Sequence, residues 1–312
     1  MKKFSLNNSV SFADINSAIE TDGVVMIEDF LNEAGCDAIS KLLDGSQKIN
    51  SNELSFVHFH DSRFFSNALG ASKDAFDLVT KSEALEIARN YLGEDIRLKC
   101  HRAYQIAGSF KFPWHTDNKF DNDKNNFYGL VIIVYLVDTF SGGTEFVLGS
   151  HKFSGDYGGN NFFEKYIDQN FSEKIFKTSG RKGVAVISDT RTIHRGGYSL
   201  VNSNPRKSFW FQIEKNLDCA ERLLINPEFL PERPADSLLK YLGFGRTAGL
   251  TVHPFTTNDD KVLSVNFRIS EFLRYGFLLI KIPTYWIKSI LSMDLKIKIK
   301  SFFLNRKEND WN

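Results

Sequence analysis

Two side chains that commonly bind metal ions lie close together in the segment from Phe112 to Asn118. They are His115 and Asp117, an imidazole and a carboxylate that are two residues apart. In an extended chain, side chains at positions i and i+2 point to the same face. His115 and Asp117 can therefore reach the same ion, with Thr116 turned away.

A third ligand is needed to complete such a site, and His194 is the best candidate. It follows a predicted buried strand over residues 183–187. Two histidines and one carboxylate on one face of a metal ion form the facial triad of non-haem Fe(II) oxygenases, which leaves the opposite coordination positions open. The three residues therefore predict a catalytic iron site.

A candidate anion-binding pair follows in the next predicted strand, over residues 206–213. Arg206 and Ser208 are two residues apart and share one strand face. A guanidinium group can bind a carboxylate through two charge-assisted hydrogen bonds, and a hydroxyl group can add a third. Arg191 and Arg195, which flank His194, are competing candidates, but the strand phase favours Arg206.

Composition limits the classes of protein to which the chain can belong. Its 312 residues include 29 phenylalanines, and the formal net charge is +1. The low net charge gives no indication of a nucleic-acid partner. Three distant cysteines without a Cys-x-x-Cys motif argue against a disulfide framework and favour reduced thiols, so we expect a cytoplasmic protein. The N-terminus lacks the apolar run of a signal peptide, and no charge-free stretch is long enough to span a bilayer.

The periodicity predicts a mainly β fold with flanking helices. Apolar or alternating strands over 96–106, 128–137, 144–147, 183–187 and 206–213 follow a helical N-terminal part. This order predicts a double-stranded β-helix (a jelly-roll, cupin-like core) with N-terminal helices packed outside. Two segments interrupt the pattern. They are a polar, irregular loop over 45–65 and a loop-and-helix insertion over 153–182.

The C-terminal part has a different character. We assign residues 1–225 to the predicted catalytic domain and residues 226–312 to a helical C-terminal extension. Residues 270–312 are apolar and basic. Such a segment can lie on an anionic membrane surface or pack its apolar face against the core or a second copy of the chain. We favour packing or homodimerisation, because Pro283 interrupts the segment.

The order of these motifs resembles that of the phytanoyl-CoA dioxygenase family of Fe(II)/2-oxoglutarate-dependent oxygenases. The resemblance covers about Ser17 to Glu214. The one departure is Leu148, where the family commonly has proline. The motifs that carry the resemblance are the segment Asp22–Leu31, His115-Thr116-Asp117, Gly142-Gly143-Thr144, Gly149-Ser150-His151-Lys152, His194 and Arg206.

The resemblance implies a function and a role for each site residue. His115, Asp117 and His194 would hold Fe(II), and Arg206 with Ser208 would hold the C5 carboxylate of 2-oxoglutarate. O2 would be the second co-substrate, and succinate and CO2 would be released. The related halogenases have a small residue in place of the carboxylate ligand, so the presence of Asp117 favours hydroxylation. The substrate would be a small molecule, a lipid or a sugar-type compound.

Several alternatives remain open at this point. The chain could be a non-catalytic jelly-roll binding protein or a cupin-like metalloenzyme that does not use 2-oxoglutarate, although the latter leaves Arg206 and Ser208 unexplained. Trp114, Asn118 and Tyr104 are candidate substrate-contacting residues. Two histidine-containing motifs are interpreted as structural or solvent-exposed rather than metal-binding, namely His151 and the pair His58 and His60.

Overall fold

A computed structural model describes residues 1–6, 11–44, 56–59, 62–65, 67–106, 112–117, 128–153, 161–197, 205–215 and 223–245, without the side chains of residues 56–59 and 62–63. The expectations for Asn118, His60 and residues 270–312 lie outside this part of the chain. The helices are α1 (Phe12–Asp22), α2 (Glu33–Asp44), α3 (Ala68–Ala71), α4 (Lys73–Val79), α5 (Ser82–Leu92), α6 (Glu164–Phe171) and α7 (Asp236–Tyr241). The strands are β1 (Lys3–Ser5), β2 (Val24–Glu28), β3 (Phe56–Phe59), β4 (Ser62–Phe65), β5 (Ile96–Ile106), β6 (Trp114–His115), β7 (Gly129–Tyr135), β8 (Glu145–Val147), β9 (Asn161–Phe162), β10 (Ile175–Lys177), β11 (Ala185–Asp189), β12 (His194–Arg195) and β13 (Arg206–Lys215).

The strands form two sheets. The large sheet has the order β1-β2-β11-β7-β13-β5-β4-β3, and the small sheet has the order β10-β8-β12-β6-β9. Neighbouring strands are antiparallel, except that β1 and β2 are parallel. The two sheets pack face to face, because Phe146 of the small sheet joins a buried cluster with Val131 and Ile133 of the large one. This arrangement confirms the predicted jelly roll.

The large sheet is buried on both faces, because successive side chains of its strands point alternately into two hydrophobic cores. Ile132 of β7 and Phe209 of β13 belong to the outer core, which also contains Ile15 of α1 and Ile39 of α2. Ile133, one residue further along β7, belongs to the inner core between the sheets. The side chains of adjacent strand residues point to opposite faces, so a continuous apolar strand serves both layers. The inner face is therefore the surface that looks towards the small sheet.

The sequence predicted an irregular loop over residues 45–65, but part of this segment forms strands. It contains β3 and β4, and β4 pairs with β5 through a register that sets Phe64 opposite Tyr104. The open edge of β5 supplies hydrogen-bond partners for β4, and strand pairing of this kind overrides a weak local propensity. The insertion over 153–182 forms α6, as predicted, together with the short strands β9 and β10.

The described part of the predicted C-terminal extension, residues 226–245, packs against the helices that flank the large sheet. The hydroxyl of the buried Tyr241 in α7 donates to the carbonyl oxygen of Val79 at 2.9 Å. The ring of Phe229 lies 6.1 Å from that of Phe76. The domain boundary at residue 225 remains a prediction. No helix in the described residues has the length and hydropathy needed to cross a bilayer.

Candidate metal centre

The two candidate histidine ligands lie opposite each other on neighbouring strands of the small sheet. His115 of β6 pairs in register with His194 of β12, and their ring centroids are 4.4 Å apart. Asp117 follows β6, and its backbone N–H donates to the carbonyl oxygen of Thr190 at 3.0 Å. This bond places the Asp117 carboxylate 3.6 Å from His194 Nε2. The structure thus brings the three predicted ligands together, with one ligand atom of each residue within 4.8 Å of the others.

Backbone hydrogen bonds orient both imidazole rings. His115 Nδ1 lies 2.8 Å from the carbonyl oxygen of Pro113, and His194 Nδ1 lies 2.9 Å from that of Thr192. A carbonyl oxygen only accepts hydrogen bonds, so each Nδ1 carries the proton and donates. The lone pair of each Nε2 is then available to a metal ion. Such bonds to the second ring nitrogen are the usual way in which proteins orient histidine ligands.

The electrostatics of the pair favour binding of a cation. Burial and the neighbouring His194 lower the pKa of His115 to about 4, although Asp117 opposes the shift. His115 is therefore neutral at physiological pH, which is the form that coordinates metals. Asp117 Oδ2 is buried and accepts no hydrogen bond within the described part of the chain. Among the described residues, this unsatisfied carboxylate oxygen beside two imidazole rings fits a divalent transition-metal ion.

The turn that leads to His194 is held by contacts that the sequence analysis did not predict. Asp189 accepts a two-point contact from Arg191, with Nε at 2.9 Å and Nη2 at 2.7 Å, and a hydrogen bond from the Tyr91 hydroxyl at 2.8 Å. Thr192 Oγ1 donates to the carbonyl oxygen of Gly23 at 2.9 Å. These contacts fix the backbone that orients both His194 and Asp117. The sequence indicates these contacts only through the polar residues that follow the predicted buried strand over residues 183–187.

Arg206 and Ser208 lie on the inner face of β13, and both are buried, at 4% and 0% exposure. Arg206 Nη1 donates to the carbonyl oxygen of Gly142. Arg206 Nε and Ser208 Oγ make no hydrogen bond among the described residues. A buried guanidinium without a carboxylate partner beside a buried hydroxyl fits a bound carboxylate group. The pair therefore suits the anion-binding role expected from the sequence.

The two competing arginines are occupied elsewhere. Arg191 is paired with Asp189. Arg195 donates to Glu145 at 2.6 Å and to Glu164 at 2.5 Å, and its guanidinium lies 4.0 Å from the centre of the Trp114 ring. These contacts satisfy both charges within the protein. Arg206 is thus the better candidate for an external carboxylate.

The candidate substrate residues have different environments. Tyr104 is opposite Ser208 in the strand register, is 8% exposed, and its ring centre lies 5.9 Å from the Arg206 guanidinium. Burial raises the pKa of Tyr104, so its phenol stays protonated.

The expectation that Trp114 contacts the substrate requires a correction. Trp114 is fully buried in a cluster with Phe162 and Ile193 on the outer side of the small sheet. Its neighbour His115 points inwards, and adjacent strand residues point to opposite faces.

The remaining histidine motifs lie away from the metal ligands or outside the described side chains. His151 Nε2 lies 3.1 Å from the carbonyl oxygen of Glu20, and the ring packs against Gly23. This is the structural role that we expected for His151. His58 belongs to β3, but its side chain is not among those described.

Several solved structures share this fold at low sequence identity. HygX from Streptomyces hygroscopicus, with nickel and 2-oxoglutarate bound, has a TM-score of 0.55 and 16% identity over 69% of this chain and 91% of its own. EctD from S. alaskensis, in its apo form, has a TM-score of 0.56 and 18% identity over 78% and 89% of the two chains. The epimerase SnoN, in complex with Fe3+, alpha-ketoglutarate and nogalamycin RO, has a TM-score of 0.53 and 19% identity over 78% and 97%.

Sequence comparison identifies the family. No curated protein has a significantly matching sequence. The sequence profile of the phytanoyl-CoA dioxygenase (PhyH) family matches residues 19–207, which is more than half of the chain. The matched region contains His115, Asp117, His194 and Arg206, in the order from which the resemblance was first inferred. The chain therefore belongs to the phytanoyl-CoA dioxygenase family.

Proposed function

We propose that the protein is an Fe(II)- and 2-oxoglutarate-dependent oxygenase that hydroxylates a small-molecule substrate. The observation that carries this proposal is the convergence of His115, Asp117 and His194 between the sheets. Family membership and the buried Arg206 support it further. A non-catalytic binding protein would have no need of a histidine pair and an unsatisfied carboxylate in one place.

His115, Asp117 and His194 would hold the iron. Both Nε2 atoms and the unsatisfied Asp117 oxygen face one another, and hydrogen bonds at each Nδ1 prevent the rings from turning. Three ligands from two adjacent strands occupy one side of an ion and leave the other side open for co-substrates. The presence of Asp117 as a ligand favours hydroxylation, because it occupies the position that a halide would need.

Arg206 and Ser208 would hold the C5 carboxylate of 2-oxoglutarate. The Arg206 guanidinium is buried on the inner face and retains an unused Nε donor, and the Ser208 hydroxyl lies on the same face. Low local polarity strengthens such a charge-assisted contact relative to water. A cupin-like enzyme that does not use 2-oxoglutarate would leave this buried charge without a function.

When bound, iron and 2-oxoglutarate supply the oxidising chemistry, in which O2 is consumed and succinate and CO2 are released. The protein supplies position and exclusion of water. Phe146 is fully buried, and its ring stacks on that of His194 with 5.6 Å between centroids; Ile133 belongs to the same apolar cluster as Phe146. An apolar lining of this kind limits the access of water to reactive species.

The reaction outcome and the substrate are the finer parts of the proposal. Neighbouring structures contain hygromycin B in HygX and nogalamycin RO in the epimerase SnoN. These complexes support a small-molecule substrate for the present protein, and SnoN makes epimerisation the alternative outcome. Cytoplasmic localisation remains a prediction from cysteine usage.

Release of succinate from 2-oxoglutarate tests the proposal. We expect release to require Fe(II), to persist slowly without substrate, and to increase with a suitable member of a panel of hydroxylated, lipid and acyl-thioester compounds. Mass spectrometry of the product distinguishes addition of oxygen from epimerisation, which leaves the mass unchanged. Failure to release succinate under any of these conditions would refute the proposed function.

A further inference from the structure

We propose that Lys99, Gln212 and Glu214 form a recognition site for an uncharged, hydroxyl-rich substrate beside the metal centre. This inference rests on the proposed function and assigns its substrate class. Lys99 Nζ donates to Glu214 Oε1 at 2.6 Å, and Gln212 Nε2 donates to the same oxygen. The three residues are called the polar cluster below.

The polar cluster lies on the inner face of the large sheet. Gln212 and Glu214 are separated from Arg206 and Ser208 by even numbers of residues along β13, so all four share one face. Gln212 is opposite Val131, a residue of the core between the sheets. The cluster and the arginine therefore occupy opposite ends of one strand face.

Hydrogen bonds connect the candidate metal ligand Asp117 to the end of the large sheet at which the cluster lies. Asp117 N donates to the Thr190 carbonyl, and Thr190 N donates to the Gly129 carbonyl, each at 3.0 Å. Gly129 is opposite Glu214 in the strand register. A side chain at position 129 would lie 2.6 Å from Glu214 Cγ, so glycine leaves the space that the glutamate side chain uses.

An irregularity in β5 accounts for the position of Lys99. The register between β5 and β13 shifts between Gln212 and Ile213, which are opposite Cys100 and Leu98, and Lys99 is the additional residue. Bulges of this kind commonly redirect a side chain next to an active site. Here the bulge allows Lys99 to reach Glu214.

Lys99 carries the positive charge of the cluster. Burial alone would lower the pKa of Lys99, but the charge and the hydrogen bond of Glu214, with smaller contributions from Cys100 and Asp117, raise it. Its side chain is 29% exposed, whereas that of Glu214 is 2% exposed. The ammonium group is therefore the accessible part of the cluster.

Stability alone does not explain a polar cluster at this place. Burying an ion pair costs desolvation energy, and well-packed apolar residues of similar volume are often equally stable or more so. The neighbouring inner-face positions Val131 and Ile133 are in fact apolar. Polar groups retained in such a setting are characteristic of binding and catalytic sites.

The balance of charges and hydrogen-bonding groups indicates the class of ligand. Lys99 and Glu214 neutralise each other, so a charged substrate would compete with one of them for its partner. An ammonium group has three donors, and Glu214 uses one of them. The amide of Gln212 adds an acceptor, which receives a weak hydrogen bond from the thiol of Cys100 at 3.8 Å. Hydroxyl groups both donate and accept, so a sugar or cyclitol ring matches this set.

The test measures binding of small probes to the anaerobic Fe(II)–2-oxoglutarate complex of the full chain. Substrate that displaces water near the iron changes the visible absorbance of this complex. The probes are methyl glycosides and myo-inositol as neutral polyols, glucosamine as a cation, and octanoate as an apolar anion. We expect the wild-type protein to respond to at least one neutral polyol, and more strongly than to the charged probes.

The decisive variant is the double substitution Lys99→Met with Glu214→Leu, which removes both charges and leaves neither buried alone. We expect it to fold and to form the Fe(II)–2-oxoglutarate complex, but to bind the polyol about ten- to hundred-fold more weakly, as loss of hydrogen bonds to charged groups implies. Lys182→Met is the matched control, because Lys182 forms an ion pair of 2.7 Å with Asp37 on the outer surface. The control variant should bind all ligands as the wild type does.

Three results would overturn the inference. They are unchanged polyol affinity in the double variant, loss of its fold or of 2-oxoglutarate binding, and a wild-type protein that forms the complex but ignores every polyol or prefers a charged probe. A wild-type protein that forms no Fe(II)–2-oxoglutarate complex would instead refute the proposed function itself.

Discussion

Replacement of Arg206 by methionine is the most direct test of how the protein holds its co-substrate. Arg206 is 4% exposed, and among the described residues its hydrogen-bonded partner is the Gly142 carbonyl oxygen. Methionine fills a similar volume without the charge, so the packing of β13 should survive. The substitution removes the buried cation that we expect to face the C5 carboxylate of 2-oxoglutarate.

The expected loss follows from the burial of the pair. Removing one partner of a desolvated, hydrogen-bonded charge pair costs about 2–5 kcal/mol. The dissociation constant for 2-oxoglutarate should therefore increase by a factor of between about thirty and several thousand. Metal affinity should change little, because the ligands His115, Asp117 and His194 belong to the other sheet or to the turn that follows it.

Isothermal titration of 2-oxoglutarate into the metal-loaded protein measures the change. Lys207→Met is the control, since Lys207 neighbours Arg206 on β13 but pairs with Asp44 at 2.5 Å on the opposite face. A folded Arg206→Met variant with wild-type affinity for 2-oxoglutarate would refute the assignment. The carboxylate would then have to bind another cation, such as Arg191 or Lys99.

Four further perturbations have defined expectations. Asp117→Ala should abolish Fe(II) binding in a titration while leaving the circular dichroism spectrum unchanged; wild-type metal affinity would contradict the triad. Burial lowers the pKa of His101 to about 3, below its value of 6.5 in the unfolded chain, so the unfolded state binds more protons between these values. The stability that His101 provides is thus present above pH 6.5 and is lost as the pH falls towards 3, by up to about 1.4 kcal/mol per pH unit. His101→Gln should flatten this dependence in urea titrations, and an unchanged slope would argue against it. Gly197→Ala would bring a Cβ atom to 1.9 Å from the Gly143 carbonyl oxygen, so we expect a loss of about 1–3 kcal/mol, measured as a lower melting temperature. Deletion of residues 270–312 should yield an aggregating protein if the segment packs on the core or a second copy; a soluble truncated protein that no longer sediments with anionic liposomes would favour the membrane alternative.

The candidate metal ligands could be predicted from the sequence because their arrangement is largely local. His115 and Asp117 are two residues apart after a strand, so their common orientation follows from backbone geometry alone. The helices and long strands were also predictable, since their apolar periodicity is strong. Strand β5, for example, has the predicted limits, Ile96 and Ile106.

Features that depend on partners distant in sequence required the tertiary structure. The sequence could not show that His194 pairs with His115, because strand pairing is set by the whole sheet. The sequence also could not show which way Trp114 points. Its side chain lies on the face of the short strand β6 that packs into the cluster around Phe162. The strand phase already favoured Arg206 in the sequence, but only the structure shows that Arg195 is paired with the distant residues Glu145 and Glu164.

The sequence by itself determined the family, the fold class and the residues able to hold a metal and a carboxylate, because these follow from short motifs and local periodicity. Only the tertiary structure decided what surrounds them. The bulge at Lys99 has no distinct local pattern, since it exists only relative to the register of β13. Strand pairing and charge pairing are properties of distant residues brought together by folding, and for this reason the polar cluster with Gln212 and Glu214 was not visible in the sequence.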